Sequence, residues 1–357
     1  MNKTLYSIQY MRGIAALVVV LFHFKVFLNN VYSQKDLGLI LFNNGAVGVD
    51  LFFMLSGFII AYSTKKDSSS YNFFIKRFFR IYPVYAIMML IMITFLPWVH
   101  FDKTFIRSLF FLHKNYESQG PYFSYSTIQA AWTLTYEVMF YALFVFSMTI
   151  THKHRVILTS ILIISLNLFF QLLFNDGYSI VGSASANYSG HFAFLIKIFS
   201  SPMMLEFVVG MAIYSIYEIV TTNGNKKGVH TLMKYTVSIS LSYSVMCYMS
   251  GFNRFHGLTG FGLSAICVIL PLVIYEKLYS MRKYEPLLFL GNISYSMYIS
   301  HLVILAVLNY TKLEFFTSIN GFSKLALMLI FTVIFSSITH DFIEKPIISF
   351  SRKLIKK

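Results

Sequence analysis

Residues 11–24 read MRGIAALVVVLFHF. The run is apolar enough to cross a bilayer, yet it holds Arg12 at one end and His23 near the other. A guanidinium at the centre of a membrane helix costs roughly 3 kcal/mol on insertion, so an ionisable residue in such a place counts first as a functional hypothesis. Eleven residues of α-helix turn through about 1,100°, some 20° past three full turns. Arg12 and His23 therefore share one face, roughly 16 Å apart.

The rest of the chain is built in the same way. Of its 357 residues 57% are hydrophobic and only 12% charged, a composition no water-exposed surface sustains. Apolar segments long enough to span a bilayer fall near 6–28, 46–63, 81–98, 131–150, 156–174, 202–220, 233–250, 258–275, 292–310 and 323–343. The fold class expected is all-α, a polytopic membrane protein of about ten transmembrane helices. The net charge of +15 would suit nucleic acid if it were diffuse. Instead Lys and Arg gather about two to one on one side, with groups at Lys3, Lys65–Arg80, Lys153–Arg155, Lys226–Lys234, Lys277–Lys283 and Lys345–Lys357. That bias predicts both termini in the cytoplasm and makes the charge a matter of topology. The two cysteines, Cys247 and Cys267, lie in apolar runs and exclude a disulfide framework or a cysteine-based zinc site. No cleavable signal peptide, internal repeat or soluble segment is visible.

Polar residues inside the spans point to chemistry. Asp50 in GVDLFFMLSGFII and Glu137 in AAWTLTYEVMFY enter from the same side as His23, at similar expected depth. If the three face one another, a carboxylate could orient the imidazole for general-base work on a hydroxyl. The bland readings are an interhelical hydrogen bond for His23 and a helix cap for Asp50. Arg77 and Arg80 lie three apart just before Pro83, where a first helical turn is expected; their fork fits phosphate, although residue chemistry alone favours lipid headgroups or topology. In FLGNISYSMYISH, Ser294, Tyr295, Tyr298 and His301 form a stripe that suits a polar passage or helix packing. Glu344, beside Lys345, reads as an interfacial structural residue, and Glu206 is an intramembrane carboxylate without an evident partner.

These landmarks in order resemble the membrane-bound acyltransferase-3 family: Arg12 and His23 ten residues between them, then GVDLFFMLSGF (48–58), KRFFRIYP (76–83), WTLTYE (132–137), EFVVG (206–210), LGNISYSMYISH (290–301) and EKP (344–346). The resemblance implies an O-acyltransferase moving an acyl group, usually acetyl, from cytoplasmic acyl-CoA to a sugar hydroxyl outside. It carries the catalytic role to His23 and the nucleotide end of acetyl-CoA to Arg77 and Arg80, with Arg12 assisting, and it tips the Arg pair toward phosphate. Longer relatives append an extracytoplasmic hydrolase-like domain. Here only 14 residues follow the last span, so one transmembrane domain, 1–357, is expected to modify a surface polysaccharide or lipid-linked glycan.

On that reading His23, polarised by Asp50 or Glu137, either deprotonates the acceptor or carries the acyl group itself. Ser56, Trp132, Tyr136, Tyr298 and His301 would line the substrate path or support an oxyanion. Acyl-CoA and a glycan are the expected partners, together with membrane lipid; no metal and no nucleic acid is expected. The expected location is the inner (plasma) membrane of a bacterium. Two rivals use the same residues: a proton-coupled secondary transporter, for which a repeat between halves would be the usual sign, and a glycan export partner without catalysis.

Overall fold

The computed structural model describes residues 4–221 and 227–355; Lys3, Lys226, Lys356 and Lys357 of the basic groups lie outside the described residues. Among the described residues every regular element is a helix. Ten long helices organise the chain: α1 (Tyr6–Phe24), α2 (Val47–Ser63), α3 (Ser70–Phe95), α4 (Trp132–Ile150), α5 (Arg155–Phe174), α6 (Met203–Ile219), α7 (Lys227–Ser250), α8 (Phe261–Tyr279), α9 (Glu285–Thr311) and α10 (Gly321–Thr339). α10 runs on through a π-turn at His340–Glu344 into Lys345–Ile355. Among the described residues eight helical stretches are long and apolar enough to cross a membrane, and a ninth forms if Ala193–Ser200, bent by 50° from α6, is joined to it. α7, expected to span over 233–250, is not among them, because serines and Lys234 dilute its apolar face.

Backbones in lipid satisfy themselves as helices, and in lipid the helices then associate through close packing more than through the hydrophobic effect. The glycines of the sequence landmarks supply that packing. A Cβ on Gly13 of α1 would stand 2.8 Å from the Gly291 nitrogen of α9, so these two helices meet backbone to backbone. At a second crossing, a Cβ on Gly57 of α2 would lie 2.2 Å from the Phe207 carbonyl oxygen of α6, and one on Gly210 would lie 2.0 Å from that of Met54. LSGF and EFVVG are thus two halves of one contact.

α1 and α9 run parallel: Arg12 meets Ser294 near one end and His23 meets His301 near the other. α3 starts earlier than expected. Ser69 caps it by accepting from the Asn72 N–H (3.1 Å), so Arg77, Arg80 and Pro83 all lie inside the helix rather than in its first turn. That extension carries both arginines into the bundle.

Candidate active site

Five helices place polar side chains around one narrow cleft of about 90 Å³. Arg12 comes from α1, Ser56 from α2, Arg77 and Arg80 from α3, Glu137 and Tyr141 from α4, and Tyr295 and Tyr298 from α9. Arg12 is buried and donates to Gln9 Oε1 (3.2 Å) and Ser294 Oγ (2.9 Å). Arg77 donates through Nη2 to Ser63 Oγ (2.9 Å) and lies between the rings of Phe73 and Tyr141, while its Nε is buried without a partner. Arg80 makes no side-chain hydrogen bond among the described residues. Against these three cations the cleft itself holds one carboxylate, Glu137, which accepts from Ser56 Oγ (3.0 Å) and from the Tyr141 hydroxyl. Glu344, expected at the interface, is instead buried where it accepts from Ser296 Oγ (2.8 Å) and His340 Nδ1 (3.1 Å), within the field of Arg12 and Arg80. Guanidiniums with unused donors around a cavity suit a bidentate anion such as phosphate.

His23 does not sit against Asp50 or Glu137. Its ring lies 5.1 Å, centroid to centroid, from His301, whose Nδ1 is held by the Met297 carbonyl (3.2 Å) and whose Nε2 is buried without a partner. His301 is in turn 6.1 Å from Tyr298, a wall of the cleft, and Phe52, another wall, packs on Tyr298 at 5.6 Å. The hydroxyl of Tyr298 reaches the Ala130 carbonyl and Thr133 Oγ1, both at 2.9 Å. Arg cleft, tyrosine and imidazole pair are therefore consecutive along the α1–α9 seam. His23 is half-buried and no described residue hydrogen-bonds its ring.

Asp50 belongs to a separate knot. Completely buried, it accepts from His256 Nδ1 (2.7 Å) and from the Gly257 N–H (2.9 Å), with Glu206, equally buried, alongside. Asp50 was expected to orient His23; it holds His256 instead, which lies in the α7–α8 connection and not in α1. His256 was missed because a lone histidine in a polar loop, 206 residues from its partner, carries no periodic signal. Trp132 and Tyr136 do not line the cleft. Trp132 packs edge-on to His256 (5.9 Å) and Tyr122 (4.9 Å), and the Tyr136 hydroxyl is used up by the Pro121 carbonyl (2.9 Å) and Ser201 Oγ (3.3 Å). Both pack against connecting segments instead, Trp132 on the α3–α4 and α7–α8 connections and Tyr136 on the α3–α4 connection and Ser201. Tyr141, one helical turn after Glu137, is the cleft residue that spacing could have found.

Residues 5–341 match a family model described as an acyltransferase domain. The chain is 29% identical over 180 residues to the exopolysaccharide production protein ExoZ of Rhizobium meliloti (strain 1021), covering 48% of this chain and 51% of that protein. It is 26% identical to the "Putative peptidoglycan O-acetyltransferase YrhL" of Bacillus subtilis (strain 168), covering 87% of this chain and 52% of the relative. Nodulation protein 10 of Rhizobium leguminosarum bv. viciae is 30% identical over 27% of this chain and 31% of its own length. The chain thus spans about half the length, or less, of the curated relatives it matches. No solved structure matches it.

Proposed function

The chain belongs to the membrane-bound acyltransferase-3 family, and on that premise we propose that it is one transmembrane unit that O-acylates a glycan. The donor is acyl-CoA, in the first instance acetyl-CoA, and the acceptor is a hydroxyl of a surface polysaccharide or lipid-linked sugar at a bacterial plasma membrane. The observation that carries this reading is the continuity from a cleft holding three arginines, through Tyr298, to the His301–His23 pair. A donor with phosphates at one end and a thioester at the other needs such a two-ended path. Along α1 the two levels are roughly 16 Å apart, within reach of an extended pantetheine arm. The printed names of the relatives, exopolysaccharide production and peptidoglycan O-acetylation, support a glycan acceptor.

In this mechanism Arg77, Arg80 and Arg12 bind the donor phosphates and Glu137 limits the excess positive charge. His23 accepts the proton of the sugar hydroxyl as its oxygen attacks the thioester carbonyl. Collapse of the tetrahedral intermediate breaks the C–S bond, and the imidazolium returns the proton to the leaving thiolate, giving the ester and CoA–SH. His301, held by its backbone bond, positions the His23 ring.

The test is to express wild type and His23→Ala at matched levels and measure ester-linked acyl groups on surface glycans. Activity of the variant is expected to fall by about 10²- to 10⁴-fold, the usual worth of a positioned base. Equal ester content in both strains would remove His23 from the chemistry. Should neither strain carry ester while uptake of a labelled solute depends on the protein, the transporter reading replaces this one.

A further inference from the structure

A second, larger space adjoins the arginine cleft. Between α3 and α4 lies an apolar chamber of about 390 Å³ that shares Arg77, Ile81 and Tyr141 with the cleft and is otherwise walled by side chains such as Phe73, Val138 and Ala142. Its mouth lies on the outward face of α3, where Phe74 and Phe78 are 57% and 40% exposed on a helix apolar enough to span the bilayer. Water has no polar partners in most of this space, so a hydrocarbon chain from the adjoining bilayer, and not water, is the filling it suits.

One wall is not apolar. Arg77 has Nη2 on Ser63, but its Nε–H is buried with no acceptor. The neighbouring Lys76 is already taken by Asp67 at 2.6 Å. A buried donor of this kind calls for an anionic oxygen at the point where the chamber meets the cleft. We propose that the chamber is a binding site for a bilayer phospholipid with an anionic headgroup, one acyl chain lying between α3 and α4 and the phosphate against Arg77. Lipid phosphate and donor phosphate then compete for the same guanidinium. Only this last consequence rests on the acyl-CoA reading given above.

The test uses the full chain reconstituted in phosphatidylcholine vesicles, with trace phospholipid bearing a photoactivatable group on its acyl chain and either a phosphatidylglycerol or a phosphatidylcholine head. Cross-links are expected on α3 and α4 residues of the chamber, favouring phosphatidylglycerol, and are expected to fall about tenfold in Ala142→Trp and in Val145→Trp, neither of which lines the cleft. Arg77→Gln should keep the chain cross-link and lose the headgroup preference. Two tryptophan variants that label like wild type, or equal labelling by both heads in wild type, would overturn the proposal. Inorganic phosphate at the concentration of the lipid trace should leave the labelling unchanged; full displacement by it would assign the site to free phosphate and also overturn the proposal. Added acetyl-CoA should lower the labelling. If it does not while the headgroup preference persists, the lipid site stands and the donor assignment of Arg77 falls.

Discussion

The arginine cleft and the Asp50–His256–Glu206 knot both place charged residues deep in an apolar chain, and they resolve that cost in opposite ways. In the knot, Asp50 is met by an imidazole and a backbone N–H, Glu206 beside it is buried with neither carboxyl oxygen hydrogen-bonded, and the arginine cleft reaches neither residue. In the cleft, three guanidiniums face one carboxylate across open space, the Arg80 side chain has no hydrogen bond among the described residues and Arg77 keeps an idle Nε. A buried charge whose partners are all supplied by the fold serves the fold. Where partners are missing around a cavity, the missing partner is the ligand.

The contrast breaks if the two regions respond alike to mutation. The largest effect is expected for Asp50→Ala, which strands the His256 ring and the Gly257 N–H; about 3–5 kcal/mol of stability should be lost, seen as a lowered unfolding midpoint in detergent. Acyl-CoA affinity of the surviving folded fraction should be unchanged. The α3–α4 connection offers a pH test of about 3 kcal/mol. His113, in the α3–α4 connection outside the spans, is packed between Tyr116 and Phe123, and burial pushes its pKa down to about 4. Between the ordinary value of 6.5 and that level the unfolded chain binds a proton the folded one excludes. Stability is then fully present above about pH 6.5 and lost as pH falls toward 4. His113→Gln should flatten that slope, which pH-dependent melting would record. Smallest in stability terms is Arg80→Gln, expected to leave the melting curve in place while acyl-CoA binding, measured by calorimetry, weakens by about tenfold to a hundredfold. An Arg80 variant that melts early with donor affinity intact would reverse the roles assigned to cleft and knot.

Much of this architecture is legible in the sequence because lipid imposes length and apolarity on each span, and helical phase alone put Arg12 and His23 on one face. The sequence set Glu137 at the level of His23 and apart from the arginines of KRFFRIYP; the fold instead places it with Ser56 among those arginines, and His301 rather than a carboxylate stands beside His23. The carboxylate partnership of His23 was not legible. Depth along a helix fixes one coordinate, whereas azimuth and helix order fix the other two, and these follow from packing between residues hundreds of positions apart. The glycine crossings show the same limit: Gly57 and Gly210 look like parts of two motifs, and only the backbone approach of α2 to α6 reveals one contact. α7 differs from the other long helices in composition rather than length, since its serines and Lys234 make it less apolar.

The pairing of α1 with α9 also sets a schedule. Arg12 and its partner Ser294 are separated by 282 positions, so at roughly 5–20 residues per second the first helix waits about 15 to 60 seconds in the membrane before its partner has been synthesised. During that interval Arg12 must rely on snorkelling, lipid headgroups or an insertion factor. The last-made helices complete the seam that the first one began, and a nascent chain stalled before residue 294 would hold an unsheltered guanidinium, a mark by which membrane quality control could recognise it.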